Sequence, residues 1–320
     1  MTERRIDLDS VKNEVKTYPA YLTGEWRESN SQKTIAIKSP WKHEVIGNVQ
    51  AVTQPEVDES IQAAKEAQRS WAKLSLGDRG QYLNRWADEL EEAKDDIATS
   101  LMNEVGKNFK SAEGEVQRTI DLVRYTVQEA LHMHGQSVRG DGFPGGSKNK
   151  LGIIERVPLG VVLAISPFNY PVNLAASKIA PALMAGNAVI FKPATQGSIT
   201  GIKMIQALDR AGFPKGILSL ITGHGSEIGD YLTEHPGINM ISFTGSTQTG
   251  KHLSQKSIMI PLVLELGGKD PAIVCDDADL DKTADNIVKG AYSYSGQRCT
   301  AVKRVLVDDK VADELVAKLK

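Results

Sequence analysis

Cysteine is scarce in this chain, with Cys275 and Cys299 alone among 320 residues. Two cysteines make no disulfide framework, so the fold must rest on its core, as expected in a reducing cytosol. An excess of one charge is missing too. The net charge is -2, with 38 basic against 40 acidic residues, which gives no basic footprint for nucleic acid and no acidic tail. No apolar run approaches the ~20 residues that span a membrane. The opening stretch MTERRIDLDSVKNEV is charged throughout and lacks the apolar core of a signal peptide. His132 and His134 have no Cys or carboxylate cluster at ligand spacing, so no metal site is expected. What these absences leave is a cytoplasmic protein that handles a small molecule.

The chain is long enough for two domains, and its 41% hydrophobic and 24% charged residues are ordinary for a globular protein. Up to about residue 135 it reads mainly as helices. Val57, Ile61, Ala64 and Trp71 recur near helical spacing, as do Leu83, Trp86, Ala87 and Leu90. YLTGEW (21–26) suits a short strand and turn, and residues 138–150 suit a hairpin or exposed connection. From residue 158 strand-length apolar runs appear at 161–165, 187–191, 217–221 and 238–243, with helix-like segments between them. This alternation predicts an α/β fold whose parallel sheet is covered on both faces. Ligands of such sheets bind beyond the strands' carboxyl ends. A further strand (303–307) and helix (309–319) close the chain.

The strand-end loops carry the chemistry. Cys299 stands in YSYSGQRCTAVKR among small polar residues, the setting of a reactive thiol, whereas Cys275 ends the apolar run AIVC as packing. Gly245 and Gly250 flank a helix start, where backbone N–H groups suit a phosphate or simply form a turn. Lys192 is either a partner for ribose hydroxyls or phosphate, or a surface lysine. Glu265, after an apolar strand, is a partly buried general base or a member of an ion pair. Asn169 is an oxyanion donor or a helix cap. Together these parts suit an enzyme that oxidises aldehydes through a thiol adduct, and Arg298 beside the thiol would favour its thiolate form.

The ordered set SPFNYP, FKPAT, FTGST, LELGGK and GQRCT resembles the aldehyde dehydrogenase superfamily, from YLTGEW to the last residue. The resemblance implies that Cys299 is the nucleophile, Glu265 the base and Asn169 the oxyanion donor. It also implies a cofactor site at Ser166, Lys192, Thr195, Asp230, Gly245, Ser246, Gly250 and Leu266. Four segments follow: an N-terminal helical part (1–137), an oligomerisation hairpin (138–158), a Rossmann-type cofactor core (159–265) and the start of an α/β catalytic domain (266–320). Family members continue well beyond the nucleophile, so the chain is expected to be part of a longer, homo-oligomeric, tetrameric enzyme. Thr195 stands where NAD-using members commonly carry Glu. Its neutrality removes a repulsion of about 4 kcal/mol at 4 Å and an effective dielectric near 20, before screening, which favours NADP. Arg118, Tyr170, Arg298 and Thr300 are similar to the substrate site of the non-phosphorylating glyceraldehyde-3-phosphate dehydrogenases. The implied substrate is therefore a small phosphorylated aldehyde. Two alternatives stand beside this one: another anionic aldehyde such as succinate semialdehyde, and a non-catalytic cofactor-binding fragment. For Arg118 a solvated helix position is the plainer alternative.

Overall fold

The computed structural model describes residues 15–142, 144–257 and 259–320, so residues 1–14 of the charged opening stretch lie outside it. The chain opens with short strands: β1 (Thr17–Tyr18), β2 (Ala20–Leu22), β3 (Glu25–Arg27), β4 (Thr34–Lys38) and β5 (Val45–Gln50). The first region is mainly helical as read, but its helices are preceded by more strand than the short one expected at YLTGEW. In β4 the residues Ile35 and Ile37 are buried while Thr34, Ala36 and Lys38 are exposed, the period-2 pattern of a one-sided strand. Strands β1, β5 and β4 form a small sheet, and β2 and β3 join a larger one.

Four helices follow, α1 (Gln54–Trp71), α2 (Leu76–Glu92), α3 (Lys94–Val105) and α4 (Phe109–Ala130). Helix α1 starts at a reciprocal capping box between Thr53 and Glu56. Both apolar stripes read from the sequence, Val57 to Trp71 and Leu83 to Leu90, are buried in the main core. A hairpin of β6 (Gln136–Arg139) and β7 (Leu151–Ile154) comes next, with Leu151, Ile153 and Ile154 exposed.

The main layer then alternates as the apolar runs predict: β8 (Val161–Ile165), α5 (Asn173–Met184), β9 (Ala188–Lys192), α6 (Ser198–Arg210), β10 (Leu218–Leu220), α7 (Gly225–Glu234), β11 (Met240–Thr244), α8 (Thr247–Lys256) and β12 (Leu262–Glu265). The strand order is β12-β11-β8-β9-β10-β2-β3, parallel from β12 to β10 and antiparallel beyond it. From β8 the chain builds outward to β9 and β10, then returns to place β11 on the other side. The order reverses between β8 and β11, where the loops leave in opposite directions and open a crevice. A smaller unit follows: β13 (Asp270–Val274), α9 (Leu280–Tyr292), β14 (Val302–Val307) and α10 (Ala312–Leu319), around Val274, Leu280, Ile287 and Leu315.

Two helix starts at the carboxyl end of the sheet are occupied by the chain's own carboxylates. Glu104 of α3, 2% exposed, accepts from the N–H groups of Ile199 and Thr200 at 2.8 Å each and from Thr200 Oγ1 at 2.6 Å. These donors sit at the start of α6, where the helix dipole favours negative charge. Burial nonetheless pushes the Glu104 carboxyl up to about 7, against the pull of its hydrogen bonds. A folded pKa above the unfolded value means that the stabilising contribution is full below about pH 4.5 and is lost as pH rises through about 7. In urea unfolding at pH 5 and pH 8, Glu104→Gln should lack this loss, narrowing the gap between the two pH values by about 2 kcal/mol. An unchanged gap would show that the carboxyl titrates normally.

Candidate active site

The cysteine loop starts where α9 ends. Residues Ser293–Gly296 form a single 3-10 turn in which Tyr294 (φ 54°), Ser295 (φ 52°) and Gly296 (φ 73°) are all left-handed. For a non-glycine residue this backbone costs roughly 1–2 kcal/mol and persists only where the surroundings hold it. The holding contacts come from Tyr294. Its hydroxyl donates to Val105 O at 2.8 Å, and its ring meets Tyr170 edge-on at 6.2 Å. On the far side of the thiol, Lys303 Nζ donates to the carbonyls of Arg298, Cys299 and Ala301 at 3.2–3.4 Å. Between these anchors Cys299 is a free, exposed thiol, as its polar neighbours led one to expect.

Two further loops meet this one. Asn169, in the turn after β8, donates from Nδ2 to Gln297 O at 2.8 Å, two residues ahead of the thiol. One amide N–H is thereby spent on joining the loops, and the second has no partner among the described residues. Glu265 closes β12 in register with Thr244 of β11. Behind it the LELGGK turn runs against the cysteine loop, since a Cβ built on Gly268 would lie 3.9 Å from Cys299 O. The expected partial burial of Glu265 is corrected: it is exposed, because β12 is an edge strand with no element over its outer side among the described residues. Lys178 lies within the field of Glu265. Its ammonium donates to Thr244 Oγ1 at 2.6 Å, and burial pushes it down to about 8 although Glu265 pulls the other way.

The residues expected to bind the substrate anion lie around Lys107 and the cysteine loop. Tyr170 is half-buried and packs against Tyr294, and Arg298 donates to Ser293 Oγ at 2.8 Å. Arg118 is exposed on α4, lining a shallow hollow of about 680 Å³ with Asn173. Both arginines lie close enough to lower the pKa of Lys107, although burial is the larger cause. Thr300 is exposed next to the thiol.

The third region is a cavity of about 570 Å³ between α7 and α8, lined among others by Ile165, Lys192, Asp230, Phe243 and His252. Lys192 is 6% exposed and donates only to Pro193 O, at 3.3 Å, with no carboxylate beside it among the described residues. Burial alone pushes its ammonium down to about 8. Outside the cavity lining, Ser166 donates its N–H to Lys192 O at 3.3 Å, and its Oγ is buried without a hydrogen-bond partner among the described residues. A Cβ at Gly225 or Gly229 would meet nothing within 4 Å, so that face of α7 is open. A desolvated cation and an open glycine face in one cavity fit an anionic group. Asp230 stands at the rim, bonded to His252 at 2.7 Å. Gly245 and Ser246 lead into α8, whose start Ser246 caps by accepting from Thr249 N at 3.0 Å. Gly250 makes room for Leu266, whose Cδ2 would be 2.4 Å from a Cβ there. Thr195 begins the turn after β9 and does not line the cavity.

Pattern reading missed Lys107, Glu115, Lys178, Tyr294 and Lys303. The first four are placed by partners far along the chain and Lys303 by carbonyls of its own loop, and only the polar run around Cys299 hinted at the last two. Cys275 is a second correction. It is exposed at the end of β13, because the β13–β14 sheet has an uncovered face that also exposes Ile273 and Leu306.

Comparison with known proteins gives a consistent result. The sequence model of the Aldehyde dehydrogenase family matches residues 26–320. The chain is 53% identical over 306 residues to the NADP-dependent glyceraldehyde-3-phosphate dehydrogenase of Triticum aestivum, covering 95% of this chain and 62% of that protein. For the protein of the same name from Streptococcus equinus the identity is 51%, covering 95% and 63%. The crystal structure of NADP-dependent glyceraldehyde-3-phosphate dehydrogenase from Bacillus halodurans C-125, complexed with NADP, superposes with a TM-score of 0.93 at 57% identity, covering 95% of this chain and 64% of that one. The chain thus spans less than two thirds of the length of these relatives.

Proposed function

The chain belongs to the aldehyde dehydrogenase family, and on that footing we propose that it acts in the NADP-dependent oxidation of D-glyceraldehyde 3-phosphate to 3-phosphoglycerate. The observation that carries this reading is the meeting of three loops, with Asn169 bonded to the cysteine loop and the turn after Glu265 lying against Cys299 O. Cys299 Sγ adds to the aldehyde carbon, and the free N–H of Asn169 with the Cys299 N–H steadies the resulting oxyanion. NADP, when bound, supplies the hydride acceptor that leaves this adduct as a thioester on Cys299. Glu265, open to solvent, takes a proton from the water that attacks the thioester, releasing the acid and the thiol. Arg118, Tyr170 and Arg298 hold the substrate phosphate, with Thr300 beside the thiol, and no acyl phosphate forms. Because an arginine pair also accepts a carboxylate, another small anionic aldehyde such as succinate semialdehyde is the second reading.

For the cofactor, support comes from the buried, carboxylate-free ammonium of Lys192 and the orphaned Ser166 hydroxyl. Lys192 suits a 2'-phosphate, while neutral Thr195, in the turn beyond the cavity lining, sets no negative charge against it; Asp230 suits the rim, and Gly245, Ser246, Gly250 and Leu266 the approach to α8. Residues 159–265 form the cofactor core on this reading, 1–137 its N-terminal part and 266–320 the start of the catalytic unit. The 138–158 hairpin, with its exposed Leu151, Ile153 and Ile154, is a contact between subunits of a cytoplasmic tetramer.

Two outcomes are expected of the intact gene product. Cys299→Ala should lower kcat/KM at least ~10⁴-fold, while Glu265→Gln should keep the first burst of NADPH and slow later turnover about 10²-fold or more, with acyl-Cys299 visible by intact mass. A steady state at wild-type speed in Glu265→Gln would remove Glu265 as base. The second outcome concerns pH. The ammonium of Lys192 attracts a phosphate and its pKa is about 8. NADP affinity should therefore be level below that pH and fall by up to about tenfold per unit above it. Calorimetric titration should find this fall absent in Lys192→Met and weaker for NAD. An identical fall in Lys192→Met would assign it to another group, with Lys178 the first candidate.

A further inference from the structure

Lys107, between α3 and α4, has no part in the scheme above and is 3% exposed. It forms an ion pair with Glu115, which is fully buried and also accepts from the N–H groups of Val172 and Asn173 at 3.1 Å each, at the start of α5. The ammonium lies 3.6 Å from the centroid of the Tyr170 ring and 4.8 Å from that of Tyr294. One ring belongs to the turn that carries Asn169. The other belongs to the left-handed turn ahead of Cys299, whose strained backbone needs an external hold. A desolvated cation between two aromatic faces attracts both, and more strongly than it would in water.

We propose that Lys107 is the positioning residue of the cysteine loop: its ammonium, fixed by Glu115 and placed between Tyr170 and Tyr294, locks the strained turn ahead of Cys299 onto the turn that carries Asn169. This rests on the reading of Cys299 as nucleophile and Asn169 as oxyanion donor, because it is their relative position that the lock sets. Tyr294 is the loop's half of the lock and Tyr170 the other. Glu115 keeps two backbone donors when Lys107 is removed, so the start of α5 stays capped and the loss falls on the rings.

Hydrogen exchange followed by mass spectrometry on the intact gene product, without substrate or cofactor, tests this. In Lys107→Met the exchange of residues 293–300 and 166–172 should rise at least tenfold, while the sheet strands and α9 keep wild-type protection. Lys107→Arg, which keeps a cation between the rings, should recover part of that protection. In turnover of propanal, which carries no anion, Lys107→Met should lower kcat about tenfold or more with KM nearly unchanged. Unchanged exchange at 293–300, or a rise spread evenly over the whole chain, would overturn the proposal. Should Lys107→Met not fold, Tyr294→Leu set against Tyr294→Phe decides: Phe keeps the ring and loses only the bond to Val105 O, so the local rise must be clearly larger in Leu, and equal rises would overturn the proposal. The exchange readout needs no activity. A Cys299→Ala protein that stayed active would thus sink the nucleophile reading and leave the lock standing.

Discussion

The buried carboxylate of Glu115 ties helix α4 to the start of α5 and, through Lys107, to the cysteine loop. Fully buried on α4, it stops the start of α5 through two backbone N–H groups and pairs with the buried Lys107. Burying each ion strips water at a cost of several kcal/mol, which their pairing and the two backbone donors offset. The helix start and the ammonium together make the carboxylate tenable, and the carboxylate in turn fixes both. Through α5 it sets the turn that bears Asn169 and Tyr170. Through Lys107 it reaches Tyr294, and from there the cysteine loop.

The same device recurs one helix later, where Glu104 occupies the start of α6. An open α/β sheet offers a helix N-terminus after each parallel strand, and each is a ready anion site. This chain fills those of α5 and α6 with its own carboxylates. The starts of α7 and α8 are left beside the cavity that holds Lys192. Where an outside anion can bind is therefore decided partly by the helical layer, which contributes two acidic residues to the sheet's carboxyl end. The buried cation without a carboxylate completes the contrast, two helix starts being closed by negative side chains and one cavity held open by a positive one.

Much of this was legible in the sequence. The mostly apolar runs of β8, β9, β10 and β11 declared the parallel sheet, because a strand buried on both faces carries few polar positions, such as Ser219 and Ser242 within the runs. The loops after those strands carried Asn169, Lys192 and Gly245, and the structure brings Asn169 and the turn after Glu265 to the Cys299 loop. Less legible was whatever depended on partners far along the chain. Tyr294 finds Val105 across 189 positions and Glu104 finds Thr200 across 96. On an amphipathic helix or in the short link between two helices a charged residue reads as solvated, so Glu104, Glu115 and Lys107 carried no outward sign of burial. The exposure of Glu265 and Cys275 was hidden for a related reason. An apolar strand implies a buried end only where another element covers it, and strand composition does not report on neighbours.

The most direct measurement is NADPH formation from glyceraldehyde 3-phosphate by the intact gene product with no inorganic phosphate present, run beside NAD and succinate semialdehyde. Turnover with NADP and the phosphorylated aldehyde, far above the other combinations, is the result expected of a hydrolysed Cys299 thioester and an arginine-lined phosphate site. Turnover that requires inorganic phosphate would contradict hydrolysis by water. Preference for succinate semialdehyde would contradict the phosphate site while leaving Cys299 and Glu265 in place.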